Sequence, residues 1–388
     1  MTLKIALGMI VRDFVSERTL MDFVKNAQKH GRHIDRVIIA YSHALYPPAL
    51  FALEERVKVS LIELNNYSRA HGEFRRLGVD DRAADTLLHS SLLSEHGLTP
   101  YGFNRNHVLM EAMFEGIELL IFVDSDVMPR VLRRTDDGRL HLDEVDFIGS
   151  HLSAVQRGAD VTTSDYSGYN ILPPVRFRGM DELLYGLHKE DMTHFWENSR
   201  SHGCLAVQSA AAPRSKRTKK LLGGNLGIRM EALPGLPPFF SPHFFSDGKP
   251  YLARGEDTFM GLTAGQGHLN CMDIDVHIFH DTYGSFPERP DLVRDARVRE
   301  RLFYACTGWI GRNVFLRWSS GRTLTEGETR LRALEGGVRG LYAHTRDERF
   351  LELPRIARDA EDGLTDMVDG YFKSVSAWNN FTERWYGT

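Results

Sequence analysis

Short apolar runs alternate with amphipathic segments through the first third of this chain, and that alternation constrains the fold more than any other feature. Four runs have the length and composition of buried strands: "LKIALGMIV", "RVIIAYS", "VKVSLIEL" and "ELLIFV". Between the first two runs, Leu20, Phe23 and Ala27 fall at helical spacing. Strands that alternate with helices form a mostly parallel sheet with helices on both faces. The sequence therefore predicts an α/β fold.

Two carboxylates, Asp124 and Asp126, directly follow the apolar run from Leu119 to Val123. In parallel sheets, ligands bind beyond the carboxyl ends of the strands. Residues i and i+2 of an extended segment point to the same side, so both carboxylates could bind one Mg²⁺ or Mn²⁺ ion together with phosphate oxygens. The alternative is a plain turn, because aspartate tolerates loop geometry well.

A second acidic pair, Glu256 and Asp257, stands behind a glycine in "RGEDTFMGL". One of these carboxylates could act as a general base while the other holds nearby polar groups. The alternative is an ordinary helix N-terminus, where the helix dipole favours acidic side chains.

Apolar and polar residues alternate in "DIDVHIFHD", which predicts one strand with His280 just past its end. This histidine could be a third metal ligand, or it could belong to a solvated strand face. Upstream, we expect Asn104 or Asn106 to cap the helix before the fourth strand. The stretch from Pro234 to Lys249 is rich in proline and phenylalanine and predicts an irregular loop.

The composition argues against several other classes of protein. A net charge of -4 over 388 residues gives no support for a nucleic-acid partner. Three widely separated cysteines, Cys204, Cys271 and Cys306, fit reduced thiols better than a disulfide framework. The apolar run at the N-terminus is too short for a signal peptide, and no run elsewhere has the length of a membrane span. We therefore expect a cytoplasmic protein that binds no nucleic acid.

Six segments, taken in order, resemble the motifs of GT-A fold glycosyltransferases, and most closely the bacterial family 2 type that uses nucleotide sugars. They are "GMIVRD", "YGFNRNHVLMEA", "FVDSDV", "GGNLGIRMEAL", "RGEDTFMGL" and "IFHDTYGSFP". The resemblance extends over roughly residues 3 to 287. Each motif is common by itself, whereas the ordered set is more specific.

The resemblance implies a role for each matching residue. Asp257 would be the general base for the acceptor hydroxyl, with Glu256 in support. Asp126 and His280 would bind the metal ion, Mn²⁺ or Mg²⁺, and Asp124 would contact the ion or the ribose. The residues implied in nucleotide-sugar binding are Val11, Arg12, Asp13, Tyr41, Ser42, Asn65, Arg105, Asp124, Ser125, Gly224 and Asn225.

The implied reaction moves a sugar from a UDP- or GDP-sugar to an acceptor hydroxyl, with inversion at the anomeric carbon. Three alternatives stay open: a retaining GT-A transferase of the mannosylglycerate-synthase type, in which Asp257 orients the acceptor, a nucleotidyltransferase, and a non-catalytic nucleotide-sugar-binding module. A nucleotidyltransferase would carry a glycine-rich, basic loop after the first strand, whereas "GMIVRDFVSER" contains one glycine.

The GT-A catalytic domain would span residues 1–289, with a nucleotide-binding half at about 1–126 and an acceptor half at about 127–289. After Pro290 the pattern changes to helical periodicity, and arginines alternate with acids. We expect an α-helical region over residues 290–388. It could associate with a membrane surface, form a homo-oligomer interface, cover the acceptor, or present an ordinary solvated face.

The acceptor would be a sugar, a glycerate-like molecule or a glycan. One candidate for its recognition is the basic run Arg214, Lys216, Arg217, Lys219 and Lys220. This run could bind a phosphorylated acceptor or close over the donor diphosphate, and it could equally be a solvated loop.

Overall fold

The fold is built on one central sheet whose strands come from widely separated parts of the chain. The computed structural model describes residues 3–64, 68–89, 91–188, 204–208, 215–264, 267–319 and 325–387. Within these residues, strands β1 to β16 are, in chain order, Ile5–Phe14, Arg36–Leu45, Lys58–Glu63, Leu119–Val123, Val127–Met128, Arg130–Arg134, Leu140–Glu144, Val161–Thr163, Tyr166–Gly168, Val207–Gln208, Lys216–Arg217, Asn225–Arg229, His243–Ser246, Lys249–Leu252, Cys271–Asp273 and Ile278–His280.

Helices pack around this sheet and make up the C-terminal part. Over the same residues, helices α1 to α13 are Arg18–Lys29, Pro47–Glu54, Ser68–Arg76, Asp81–Leu88, Ser91–Glu95, Tyr101–Phe114, Phe147–Gln156, Met180–Gly186, Glu256–Ala264, Ala296–Ser319, Thr325–Thr345, Leu353–Asp362 and Leu364–Tyr386. Two 3₁₀ helices span Met230–Gly235 and Glu348–Glu352. No helix in the described part of the chain combines the length and the apolar character that crossing a bilayer requires.

Eight of the described strands form the central sheet, in the order β11-β15-β8-β12-β4-β1-β2-β3. Strands β3, β2, β1 and β4 pair in parallel, as do β15 and β8. Strand β12 runs antiparallel between β4 and β8, and β11 runs antiparallel to β15. The predicted α/β fold, with a mostly parallel sheet and a helical C-terminal extension, is therefore confirmed.

Strand β4 shows why the apolar runs become central strands. All five of its residues are buried. Leu119, Ile121 and Val123 pack with residues of α1 and α7 on one face of the sheet. Leu120 and Phe122 pack with residues of α6 on the other face. A strand that is covered on both faces must be apolar at every position, and this produces the continuous run seen in the sequence.

The C-terminal helices share their cores with the sheet domain. Trp378 and Phe381 of α13 lie in the same buried cluster as Phe74 of α3, and the rings of Phe74 and Phe381 stack with centroids 4.4 Å apart. The indole N–H of Trp378 donates to the backbone carbonyl of Leu236 at 2.8 Å. Helices α10 and α12 enter a second cluster that also contains Phe259 of α9. The boundary near Pro290 stays a prediction, and the residues on its two sides are packed together.

Two local predictions for helix and strand ends are wrong. Helix α6 begins at Tyr101 after Pro100, so Asn104 and Asn106 lie inside it. Asn106 does not cap the helix, because its amide bonds the backbone N–H and C=O of Phe239, each at 2.9 Å.

The segment "DIDVHIFHD" forms two strands instead of one. Strand β15 ends at Asp273 and β16 begins at Ile278, with His280 as its last residue. Asp275 between them has a φ of 53°, a left-handed conformation that a strand cannot contain. The predicted loop from Pro234 to Lys249 is also partly regular, because β13 and β14 form a hairpin there.

Replacing the buried Trp378 by alanine tests the packing of the C-terminal helices. We expect Trp378→Ala to lower the free energy of unfolding by about 3 to 5 kcal/mol, because it empties buried volume and leaves the Leu236 carbonyl unpaired. Urea denaturation followed by circular dichroism measures the change. The control is Phe372→Ala on the same helix, whose side chain is 56% exposed; it should cost less than about 1 kcal/mol. Equal losses in the two variants would contradict the shared core.

Candidate active site

The carboxyl ends of β1, β2 and β4 meet the start of β12 at one edge of the central sheet. Asn225, the first residue of the antiparallel β12, pairs with the last residue of β4. This register sets Gly223 and Gly224 beside Asp124. A Cβ atom on Gly224 would collide with the Asp124 carboxylate, and one on Gly223 would collide with the Arg105 guanidinium. Close packing therefore requires glycine at both positions.

The side chain of Arg105, which is only 3% exposed, connects three parts of the site. Its guanidinium donates to Asp124 at 3.3 Å, to Glu256 at 3.2 Å and to the carbonyl of Gly223 at 2.8 Å. The same group lies over two phenylalanine rings, 5.1 and 5.6 Å from their centroids. Arg105 thereby ties the Asp-x-Asp loop to the glycine turn and to helix α9.

Asp126 contacts a histidine and an arginine that come from distant parts of the chain. Its Oδ1 lies 3.1 Å from His280 Nε2, and its Oδ2 accepts a hydrogen bond from Arg301 Nη2 at 2.5 Å. Strand β16 brings the histidine there, because His280 pairs with Val127 and the Asp281 N–H donates to the Asp126 carbonyl at 2.9 Å. Burial disfavours the charged carboxylate, but His280 and then Arg301 outweigh it and hold the pKa of Asp126 far below its usual range.

The contact between Asp126 and His280 fits a pair of metal ligands. A carboxylate oxygen and a neutral imidazole nitrogen are both atoms that bind divalent metal ions. Asp126 Oδ1 and His280 Nε2 are 3.1 Å apart. Asp124 instead pairs with Arg105, and among the described residues no group of three or more His, Cys, Asp or Glu side chains is arranged to hold a metal ion. Two of the three predicted ligands are thus together, and Asp124 as the third stays a prediction.

The acidic pair opens helix α9. Glu256 is buried against Arg105, and burial, followed by the charge of Asp257, raises its pKa. Asp257 is only partly buried. Its Oδ2 accepts a hydrogen bond from the Gly223 N–H at 2.8 Å, and its Oδ1 accepts one from the Thr258 N–H at 2.6 Å. These bonds fix the Asp257 carboxylate beside the glycine turn.

A β-bulge changes the pairing of β1 and β2 near their carboxyl ends, where the nucleotide-binding residues are predicted. Val11 pairs with Tyr41, but Asp13 pairs with Ala44, so the register shifts between the two pairs. The Asp13 carboxylate accepts the Ala44 N–H at 3.1 Å. Ser42 lies at the bulge, and its buried hydroxyl has no hydrogen-bond partner in the described part of the chain. A buried hydroxyl without a partner is a candidate for binding a ligand.

The other residues implied in nucleotide-sugar binding lie in different surroundings. Arg12 is exposed and lies 3.7 Å from Asp13. Ser125 is also exposed, and its carbonyl accepts the Thr19 hydroxyl at 2.7 Å, which ties helix α1 to the Asp-x-Asp loop. Asn65 lies outside the described residues.

Asn225, which the resemblance implies in nucleotide-sugar binding, has a side chain that points into the protein. It is fully buried; its amide hydrogen-bonds His151 Nε2 at 3.1 Å and donates to the carbonyl of Val276 at 3.2 Å. A sugar could reach this amide only if both bonds broke. We therefore assign Asn225 to the support of the glycine turn and keep Gly224 in the candidate site.

Three site residues were outside the prediction. The Tyr166 hydroxyl accepts the Gly224 N–H at 2.9 Å, and it belongs to the turn-rich stretch "SDYSGYN". Arg301 and Arg312 come from helix α10 of the C-terminal region, for which the sequence leaves several roles open, covering the acceptor among them. A signal was available, since Arg301, Tyr304 and Arg312 are spaced by three and eight residues and so share one face of a helix.

Comparisons with known proteins give fold-level similarity alone. No family model matches the chain, and no curated protein matches it. Glucosyl-3-phosphoglycerate synthase from Mycobacterium tuberculosis, in complex with Mn²⁺, UDP and phosphoglyceric acid, is similar at 12% identity, covering 83% of this chain and 80% of that chain with a TM-score of 0.40. Residues 1–349 of TarS from S. aureus are 11% identical, covering 100% of this chain and 92% of that chain with a TM-score of 0.38. At these values the similarity carries no argument about activity.

Two buried histidines make stability depend on pH. Burial lowers the pKa of His107 and of His151 to about 4, below the ordinary 6.5. The unfolded chain then binds protons at a higher pH than the folded chain, so stability should fall as the pH drops from 6.5 towards 4. Each histidine contributes a slope of up to about 1.4 kcal/mol per pH unit. Urea denaturation from about pH 7 to about pH 4.5 measures this slope.

A matched pair of variants isolates the contribution of His151. His151→Gln should be less stable than the wild type near neutral pH and should lose less stability on acidification. His33→Gln, at a side chain that is 83% exposed, should keep the wild-type slope. An unchanged slope in His151→Gln would contradict the assignment.

Proposed function

We propose that this protein is a metal-dependent glycosyltransferase that moves a sugar from a nucleoside-diphosphate sugar to an acceptor hydroxyl. One observation carries the proposal. Asp126 with His280, the Arg105 network and Asp257 converge at the carboxyl end of β4, where ligands of such sheets bind. Two candidate metal ligands, a close-packed glycine turn and a candidate base are the groups that such a transfer requires.

The donor would bind across the ends of β1, β2 and β4. Val11, Asp13 and Tyr41 surround the bulge between the first two strands, and the Ser42 hydroxyl there lacks a protein partner in the described residues. The diphosphate would lie towards Asp126, where a divalent ion can bind its oxygens. A UDP- or GDP-sugar as donor stays a prediction.

Asp126 and His280 would hold an Mn²⁺ or Mg²⁺ ion, and Asp124 would reach it or the donor ribose. When bound, the ion would act as a Lewis acid that neutralises negative charge on the departing diphosphate. The protein's own contribution is to hold the carboxylates of the site in position. Arg105 keeps Asp124 and Glu256 in fixed places through bonds of 3.3 and 3.2 Å, so the carboxylates do not have to reorganise during the reaction.

Asp257 would take the proton of the acceptor hydroxyl as the new bond to the sugar forms. Attack from the face opposite the diphosphate would invert the anomeric configuration. A carboxylate held within hydrogen-bond reach contributes typically about 10²–10⁴-fold to such a step. The Gly223 N–H supports this role by holding one oxygen of Asp257 at 2.8 Å.

A retaining transferase is the second candidate, and one observation favours it. Both carboxylate oxygens of Asp257 already accept backbone N–H groups, from Gly223 and from Thr258. Such a carboxylate is well suited to orienting an acceptor without taking its proton. The configuration of the product, determined by NMR, separates the two candidates. The non-catalytic nucleotide-sugar-binding module is the third candidate, and donor hydrolysis in the presence of Mn²⁺ would exclude it. The cytoplasmic location of the protein stays a prediction.

Removing Asp126 tests the metal site. We expect Asp126→Ala to bind Mn²⁺ much more weakly in calorimetry and to lose turnover by at least about 10³-fold, since Lewis-acid stabilisation is worth several kcal/mol. The control is Glu328→Gln, at a side chain that is 82% exposed on helix α11. Circular dichroism should show both variants folded. Wild-type Mn²⁺ affinity in folded Asp126→Ala would remove the metal assignment.

Replacing Asp257 by asparagine keeps its size and removes its charge. For Asp257→Asn we expect turnover to fall about 10²–10⁴-fold while the dissociation constant of the donor changes less than about threefold. Steady-state kinetics and donor titration measure the two quantities. Turnover close to that of the wild type would rule out a role as general base.

A further inference from the structure

Helix α10 brings two arginines of the C-terminal region to the candidate site. Arg301 bonds Asp126 directly. Arg312 lies three turns later, and its Nε would be 3.1 Å from a Cβ atom on Gly255, the residue just before the acidic pair. A third arginine, Arg254, comes from the segment before α9, and its backbone N–H donates to the carbonyl of Gly308 on α10 at 3.0 Å.

Arg254 and Arg312 differ from the other site arginines because neither guanidinium forms a hydrogen bond or a salt bridge with a carboxylate in the described part of the chain. The Nε of Arg312 is buried and has no hydrogen-bond partner there. The aliphatic part of Arg254 crosses Gly308, where a Cβ atom would collide with it, and its guanidinium lies 5.8 Å from the ring centroid of Tyr304. Gly308 thus leaves room for the Arg254 side chain on helix α10, and in the described part of the chain no salt bridge pairs the charge of Arg254.

The ion pairs of the site distribute its charges unevenly. Arg105 is shared by Asp124 and Glu256, and Arg301 pairs with Asp126. Four carboxylates therefore balance four guanidinium groups over the whole site, and Arg254 and Arg312 are the two guanidinium groups that no carboxylate hydrogen-bonds in the described part of the chain.

Arg312 and its neighbours influence one another electrostatically. Burial lowers the pKa of Arg312, Asp257 opposes that shift, Arg254 adds to it, and Glu256 also opposes it. Arg254 and Arg312 are therefore close enough to repel each other, and both are near the carboxylate proposed as the base. Two neighbouring guanidinium groups that no carboxylate hydrogen-bonds can bind an anion through their free N–H groups.

We propose that Arg254 and Arg312 bind an anionic group, a phosphate or a carboxylate, of the acceptor. This inference rests on the glycosyltransferase function proposed above and narrows its acceptor to a negatively charged alcohol. A divalent ion and a nucleoside-diphosphate sugar carry equal and opposite charges, so donor binding would leave the two guanidinium groups available to an acceptor. The planar guanidinium can bind either anion through two parallel hydrogen bonds. An acceptor held there would have its hydroxyl near Asp257.

Two different roles for these arginines would give different binding results. The arginines could bind the diphosphate of the donor, in which case UDP and a second anion would compete for them. They could also serve only to balance the charge of the acidic pair, in which case no anion would bind.

A binding experiment with inorganic phosphate decides between these possibilities. Phosphate is titrated by calorimetry into wild type, Arg254→Gln, Arg312→Gln and the double variant, first in metal-free buffer and then with Mn²⁺ and saturating UDP. We expect phosphate to bind wild type in both conditions, and each single variant to bind it at least about tenfold more weakly, because each variant loses charge-assisted hydrogen bonds to the anion. The control Arg332→Gln, at a side chain that is 78% exposed, should bind as wild type does.

The inference is overturned if the single variants bind phosphate as wild type does, or if UDP displaces phosphate competitively. Circular dichroism verifies that each variant is folded. If the double variant does not fold, Arg312→Lys is measured in its place. This conservative variant keeps the charge and should retain part of the phosphate affinity.

A kinetic arm separates this inference from the proposed function. Wild type with Mn²⁺ and UDP-glucose is offered glycerol or glycerol 3-phosphate, which differ only in the anionic group. We expect transfer to glycerol 3-phosphate to be faster, and its KM to rise at least about tenfold in Arg312→Gln while the affinity for UDP stays within about threefold. Equal rates with the two alcohols would overturn the inference. If no nucleotide sugar binds with Mn²⁺, the proposed function fails, and the phosphate titration still decides whether the anion site exists.

Discussion

The pairing of the buried Arg105 guanidinium with Asp124 and Glu256 is the interaction on which the rest of the site depends. A buried carboxylate without a partner is strongly disfavoured, and breaking a buried ion pair costs about 3–5 kcal/mol. The Asp-x-Asp loop, the glycine turn and helix α9 each contribute one acceptor to the same guanidinium. None of the three can shift alone, so a single side chain inside a helix makes three loop ends rigid.

The sequence predicts well the elements whose pattern reflects local geometry. Strand β4 is buried on both faces, and its continuous apolar run follows directly from that burial. The prediction fails where a single residue departs from its pattern. Asp275 adopts a φ of 53° within a stretch of alternating apolar and polar residues, and that alternation gives no sign of the turn. Asn106 has a typical capping side chain, but it bonds the backbone of Phe239, 133 residues away.

The candidate site was predicted as separate motifs, and their arrangement depends on contacts over long distances. Asp124, Asp126 and Asp257 follow strand ends or open a helix, so their positions could be expected from the strand order. Arg301 meets Asp126 across 175 residues. In a chain with 48 basic and 52 acidic residues, charge alone cannot assign such a pair. The strand pattern around His280 leaves a metal ligand and a solvated face open, and the family resemblance is what implies that His280 and Asp126 bind the same ion.

The place of Trp378 in the sheet core has a consequence for how the chain is made. The last strand of the central sheet, β15, ends at Asp273, so about 105 further residues must be synthesised before Trp378 exists. At typical rates this takes about 5 to 20 seconds. During that interval the apolar residues that pack around Trp378 in the folded protein, Phe74 among them, lack this partner. The C-terminal helices thus determine when the nascent chain can bury its core, as well as how firmly it stays buried.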